Sequence, residues 1–465
     1  MTVTPFPFVT DGDFGDVPIN FIPSKDSDKK VILRAAPGLA QFCDLTDCTE
    51  VRGLYAWNDY LYAVAQRGSQ SVLWRIDTAG AFAELGTITT SASGNLWMVN
   101  NPTQLCICDG VSGWTYTPGS GIFLQVTDAD FPGAAAMDYQ DGYGLFITPN
   151  SNQWYYSDVY NMRAFDPLDF HEKMAKPDNL RSILSFFREV WLFGEKDGTE
   201  VWYNAGGDNT TPATPTFTRN AGGLIEIGCG AARTPSTMDG TAVAWLSDKG
   251  KMMQAVGYVP KEINNQMFAR EVQGYSTFVD AFAFTYVDLG HTFYQITFPT
   301  GNTTWVYDMS TGLWFKKTSF DGAGAWGRHR ARCYARYNNK HYVGDYTNGK
   351  VYEMSSDYYD DAGEAIQRRL YAPEQVSGMT YGRWPDVMLD LEMGVGVAQG
   401  LTPKIMLEIS NDGGHTWGSE IWRDAGAVGE YTKRAIWRRL GSSTRRGYRL
   451  TMTDAIPWKI LGVVT

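Results

Sequence analysis

One grammar recurs along this chain at intervals of 40 to 51 residues: an apolar run, a tight polar turn, a second apolar run, a Gly-containing turn and a third run. It is clearest over residues 182–204. There Ser182-Ile-Leu-Ser-Phe-Phe187, the turn Arg188-Glu189, Val190-Trp-Leu-Phe193, the turn Lys196-Asp-Gly198 and Thr199-Glu-Val-Trp-Tyr-Asn204 follow in order. Polar pairs and Asp-Gly steps between β-branched and aromatic runs are hairpin signals. The first turn of each unit falls at Asn58, Asn101, Asp141, Arg188, Asp239, Asp288 and Asn338, so seven units fit. Repeats of this length, each built of three or four antiparallel strands, describe propeller blades. A lone blade exposes both faces, and radial stacking buries them against neighbours. A parallel β-solenoid has a shorter rung than this. The chain also holds 49 Gly and 20 Pro, which leave few windows of helical length, together with 16 Trp, 26 Tyr and 23 Phe to fill cores. The expected fold is all-β: a propeller of about seven blades with a C-terminal β-sandwich-like domain.

The grammar changes after Pro373. Longer period-two strands follow at Val387–Met393, Lys404–Ile409, Ala435–Leu440 and Tyr448–Met452, with turns at Asp412-Gly-Gly414 and Arg446-Gly447. The acidic stretch Asp357–Gly363 reads as a solvated junction. Residues 1–52, with five prolines and little periodicity before Val31, read as an arm plus a first strand. The expected division is therefore 1–52 arm, 53–362 propeller and 363–465 C-terminal β-domain.

Formal net charge is −11 and unevenly spread. Residues 401–465 carry ten Lys or Arg against six acids, which leaves thirty basic against forty-five acidic residues in the first 400. Such an acidic body repels DNA and argues against wrapping it. No opening stretch has a secretory pattern and no run nears the roughly 18 apolar residues that span a bilayer. Six cysteines (Cys43, Cys48, Cys106, Cys108, Cys229 and Cys333) are too sparse for a disulfide scaffold and read as buried thiols.

Catalytic constellations are missing from the pattern. The five histidines (His171, His291, His329, His341 and His415) lack metal-ligand spacing, and the pairs Cys43 with Cys48 and Cys106 with Cys108 have no second ligand pair nearby. There is no nucleophile elbow, P-loop or dinucleotide fingerprint, and Gly206-Gly207 and Gly222-Gly223 read as turns. Ser410-Asn-Asp-Gly-Gly-His-Thr-Trp417 matches the Asp-box of sialidases and other propellers, a turn in which Asp and Ser/Thr side chains bond local backbone. It occurs once, outside the repeat, without an arginine cluster and Tyr nucleophile, so a sialidase-like carbohydrate-active enzyme is the weaker alternative. A kelch-like monomeric adaptor is another, drawing on Trp305–Trp314, but its doubled glycine does not recur. Asp360-Asp361 reads as a solvated charge run. No catalytic residue, cofactor or metal is expected.

The remaining feature is basic. Arg434, Arg438, Arg439, Arg445, Arg446 and Arg449 form a candidate assembly interface, with an ordinary solvated face or a DNA channel as the other readings. Strand alternation places Arg434 and Arg438 on one face and Arg439 on the other with Ala435 and Trp437, so there is no single phosphate-facing stripe.

Several segments resemble the tail hub, or packaged-DNA stabilization, proteins of short-tailed bacteriophages. They are Ile409–Gly418, Tyr431–Gly441 with its basic W-x-R strand, Gly447–Leu450, Val17–Asn20, Leu33–Ala40, Val190–Gly194 and Glu200–Tyr203. The resemblance implies a structural virion protein and no enzyme. It implies a hexamer that extends the tail tube below the portal adaptor (head-to-tail) ring, helps retain packaged DNA and lets dsDNA pass without sequence-specific binding. Tailspikes or tail fibres and a tail needle would dock on it, and assembly would take place in the bacterial host cytoplasm. The stretches 204–222 and 357–371 do not align, and docking is expected to vary in such loops.

Overall fold

A computed structural model of the chain describes residues 5–6, 17–25, 31–89, 94–207, 214–321, 324–376, 380–384, 386–395 and 402–464. Seven antiparallel sheets follow one another along the sequence. Their first strands are Glu50–Trp57, Trp97–Asn100, Met137–Gln140, Leu180–Phe186, Ser236–Met238, Phe282–Asp288 and Ala331–Tyr337. First strands are neighbours from blade one to blade four and from blade five to blade seven, blades four and five share a core of Trp191, Phe193, Val243 and Trp245, and the seventh first strand lies against the first, so the blades close a ring around an axis. Each expected first turn marks the hairpin between a blade's first and second strands, though in the sixth blade Asp288 still pairs with His291 and the turn is Leu289-Gly290, one residue later than expected. In the fourth blade it sits one residue earlier than expected, because Phe186 pairs with Glu189 and leaves Phe187 and Arg188 as the turn. An apolar side chain had disguised the turn as strand.

Blades have four strands or more where the sequence shows three apolar runs. The outer strands Ile122–Gln125, Phe170–Glu172 and Val259–Glu262 are short and largely exposed. They bury too little to carry an apolar signature. The interfaces between blades hold the core. Tyr62, Val64 and Leu73 of blade one meet Leu105, Ile107 and Trp114 of blade two. Trp154 of blade three meets Trp202 of blade four with ring centroids 5.6 Å apart. Between blades five and six the helix Gln266–Gln273, capped by Asn265, inserts Phe268 and Val272 beneath Trp305 and Trp314.

The arm assigned to residues 1–52 is corrected by the structure. Gly38–Asp44 is the outer strand of the seventh blade, antiparallel to Lys350–Ser355, while Phe21–Lys25 and Val31–Ala35 pair into a sheet with the C-terminal strands Lys459–Val464, Asp386–Leu391 and Ala435–Arg438. A second sheet of Arg368–Val376, Arg445–Met452, Lys404–Ser410 and Ile421–Asp424 faces it. One core of Phe21, Leu33, Leu389, Leu407, Trp437, Leu450 and Trp458 lies between them. Pairing partners more than 300 residues away leave no local trace.

Between these strands Val17–Asn20 ties the two parts together. Ile19 N–H donates to Arg369 O (2.9 Å), and Lys316 N–H donates to Pro18 O (2.9 Å). Buried Asn20 donates to Thr318 O (3.1 Å) and Gln367 O (2.8 Å), and its Oδ1 accepts from Thr318 N–H (3.0 Å). Its φ of 55° suits Asn better than most residues. The 357–363 junction is likewise not a solvated run. Asp361 is buried and accepts from Ser319 Oγ (2.8 Å). The nearby cations Arg330, Arg368 and Lys317 favour its charge, while burial raises its pKa.

Two outcomes are expected. Leu39, fully buried in the closing strand, should cost about 2–5 kcal/mol on Leu39→Ala, read as a lower urea midpoint. Phe187 and Arg188 both adopt left-handed backbone, φ 51° and 61°. Replacing them with Asn-Gly should raise stability by about 1 kcal/mol, measured by chemical unfolding.

Candidate assembly surfaces

The six candidate arginines do not form one surface. Arg446 is buried: its Nε donates to Ser443 Oγ (3.2 Å), its Nη1 donates to Leu440 O (2.9 Å), and its guanidinium lies 6.0 Å from the ring centroids of Trp384 and Tyr448. Arg449 grips Glu408 with two bonds (2.6 and 2.5 Å) and lies 4.5 Å over the Trp417 ring. Both are therefore internal ties and not the assembly contacts expected, because Arg446 turns back onto Leu440 and Ser443 just before its strand and Arg449 pairs with Glu408 on the adjacent strand Lys404–Ser410. Arg445 is exposed at the start of the strand Arg445–Met452.

Arg434, Arg438 and Arg439 remain exposed. Alternation holds through Arg438, with Ala435 and Trp437 inward. It fails at Arg439, whose φ of 62° ends the strand and re-aims the side chain outward instead of to the Trp437 side. Arg439 and Arg383 line one depression of about 430 Å³ with Trp384, Asp386, Gly441 and Ser442. Arg438 sits opposite Asp386 in register. Tyr381, Trp422 and Tyr431 are also exposed on this domain. Exposed Tyr, Trp and Arg are the side chains that carry most binding energy at protein interfaces. The sequence reading missed Arg383 and these aromatics, because each stands alone in the sequence and only strand pairing brings Gly382-Arg383 beside Ser442-Ser443.

A second surface lies on the propeller. In an antiparallel blade the turn between strands one and two and that between strands three and four emerge on the same face. On that face Val159, Tyr160, Phe187, Val256, Val259 and Leu289 are exposed, Phe187 by 70%. Neighbouring tips are joined: Asn101 Nδ2 donates to Tyr160 O (3.0 Å), Gln140 Nε2 donates to Arg188 O (2.8 Å), and Arg188 pairs with Asp141 (3.4 Å). Exposed apolar patches mark interaction sites, and these side chains make this face a candidate for one. Of the 204–222 stretch, residues 208–213 lie outside the described residues.

The Asp-box is a turn. Asp412 Oδ1 accepts from Ser410 Oγ (2.7 Å) and Thr416 N–H (2.9 Å), Oδ2 accepts from Thr416 Oγ1 (2.5 Å), and Gly414 N–H donates to Ser410 Oγ (2.8 Å). Bonding from Thr416 holds the Asp412 carboxyl well below the usual carboxylate range. Among the described residues no group of three or more metal-ligating side chains converges. The cysteines are free thiols, and burial pushes Cys43, Cys106 and Cys333 up to about 12; Cys48 is half-buried, not buried as expected.

Fold and surfaces define a propeller joined to a β-sandwich, with aromatic and arginine-bearing faces on both parts. A family model described as "Bacteriophage P22 Gp10, beta-propeller" matches residues 10–359, and one described as "Bacteriophage P22 Gp10, beta-sandwich" matches residues 374–464. The chain belongs to this family, the tail hub proteins of short-tailed phages, and is a structural protein of the virion tail. No curated protein sequence matches it. Among solved structures, a virginiamycin B lyase from Staphylococcus aureus is 11% identical, with 69% of this chain and 99% of that one covered and a TM-score of 0.47. The Pan2 WD40 domain of Neurospora crassa is 8% identical, covering 68% and 95%, with a TM-score of 0.41. At that similarity neither activity nor partners transfer.

The separation of internal from exposed arginines can be measured. Arg449→Met should lower the stability of the C-terminal domain by about 1–3 kcal/mol. Arg438→Glu should change it little, since an exposed charge contributes at most about 1 kcal/mol. Differential scanning calorimetry reads both.

Proposed function

We propose that the protein is a tail hub or nozzle subunit that forms a hexameric ring below the portal-adaptor ring, helps retain packaged DNA, gives it passage at ejection, and docks tailspikes or fibres and the tail needle. The observation that carries this reading is the family match across both the propeller and the sandwich. Working units follow the strand pairing, with the propeller ending near residue 362 and the segment before Gly38 assigned to the C-terminal β-domain. In this reading the protein is assembled in the host cytoplasm and carries no catalytic activity. The hydrogen-bonded Asp-box and the high thiol pKa values agree with that.

The geometry also limits how DNA can pass. The axial cavity of the propeller holds about 260 Å³, room for about nine waters at about 30 Å³ each. A duplex whose major groove alone is about 12 Å wide cannot thread it, so the conduit must lie between copies. The acidic first 400 residues suit a wall that does not hold phosphates, since each Lys or Arg contact would release counterions and retain the genome.

The exposed pair Arg438 and Arg439 is assigned to subunit or adaptor contact, where the guanidinium fork meets carboxylates. Arg438→Glu with Arg439→Glu should abolish ring formation or adaptor binding in sedimentation while leaving the unfolding free energy within about 1 kcal/mol of wild type. Unchanged assembly removes the pair from the interface. Turnover of a sialoside or capsular polysaccharide by the purified protein would overturn the non-enzymatic reading.

A further inference from the structure

The axial cavity is lined by the first strands of several blades and the segments leading into them. Its walls are about equally polar and apolar, with Leu54, Met98, Ile183 and Phe284 among the apolar side chains, and two cations line it. Arg233 stands in it with its guanidinium 4.6 Å from the Trp97 ring centroid. Among the described residues it has no ion pair and no side-chain hydrogen bond. Arg332 lines the same cavity, paired with Glu50 and donating from Nε to Asn95 Oδ1 (2.7 Å). Fully buried Arg52 lies near Arg332, its Nε donating to Gly94 O (2.8 Å) and its Nη1 to Ser71 Oγ (2.8 Å). Asp109 acts on Arg52 but accepts from Val111 and Ser112 N–H, and Asp138 on the cavity wall has its oxygens taken by Tyr139 and Ser185 N–H.

Arg233 is only half-buried, yet a cation drawn into a cavity without a counterion is costly, and proteins pair such charges. Burial above all pushes Arg233 down to about 10; the Cys333 and Cys108 thiols oppose it, and the neighbouring Arg332 adds a smaller lowering effect. The Trp97 ring holds the guanidinium by a cation–π contact, and the planar fork of N–H donors that a guanidinium carries suits a planar or tetrahedral oxyanion. The volume admits such an ion with a few waters and excludes a nucleic-acid segment.

We propose that this axial cavity is a binding site for a small oxyanion, a phosphate or carboxylate, held by Arg233 with Arg332 and Asn95 beside it. The site is independent of the hub assignment. It rests on the propeller interior alone.

Isothermal titration of the full-length protein with inorganic phosphate and, separately, acetate, at ionic strength fixed with chloride, tests it. Saturable one-to-one binding of either probe is expected, with the affinity weakened at least about tenfold by Arg233→Met and less by Arg233→Lys. The probe that binds more tightly identifies the ligand class. No saturable binding into the millimolar range, or equal binding by wild type and Arg233→Met, overturns the proposal. If Arg233→Met does not fold, wild-type crystals soaked in tungstate decide: anomalous density in the cavity supports the site, and density only elsewhere overturns it.

Discussion

Everything in the propeller depends on one set of backbone hydrogen bonds, those between Gly38–Asp44 and Lys350–Ser355. Blades bury their faces only against neighbouring blades, so a ring left open would expose two blade faces to water. Closure pairs an early strand with a late one, and the loop-closure entropy of some 300 residues must be met before the bonds form. The site is tight: a Cβ on Gly38 would lie 2.4 Å from Asp360 O and 2.6 Å from Tyr358 O. Cys43 and Leu45, in and just beyond the closing strand, then share a core with Trp74 of blade one, so the strand binds both sides of the seam.

Because the same segment runs on from strands of the C-terminal sheet, closing the ring also fixes the second domain. Asn20, the bridges of Ile19 to Lys316 and Arg369, and buried Asp361 with its nearby cations lie between them. A joint made of buried hydrogen bonds is more specific than an apolar one, since each unmade bond is costly. Such a joint holds the two parts of this tail protein in fixed relative positions.

The C-terminal arginines illustrate how little residue type alone decides. Arg446 and Arg449 lie in a central strand with acceptors around them, and they hold the domain together. Arg438 and Arg439 end an edge strand and stay exposed. Their difference is set by strand position and by one left-handed residue, with the charge the same in all four.

The blade repeat was legible in the sequence because hairpin turns and apolar runs are local: Asp141-Gly142, Asp239-Gly240 and Asn338-Asn339 adopt the paired positive φ values that their residue types favour. The C-terminal period-two strands and the Asp-box turn were legible for the same reason, and the absence of metal or nucleophile spacing needed only the residue order. Tertiary structure alone decided the rest. Outer strands such as Val259–Glu262 bury too little to be read, and Phe187 hid a turn behind an apolar side chain. The destinations of Phe21–Lys25, Val31–Ala35 and Gly38–Asp44 are set by partners at the far end of the chain. Arg233 and Arg332 share a cavity although 99 residues separate them. Local preferences act over a few residues, whereas pairing across a closed ring is chosen by the burial that only the complete ring provides.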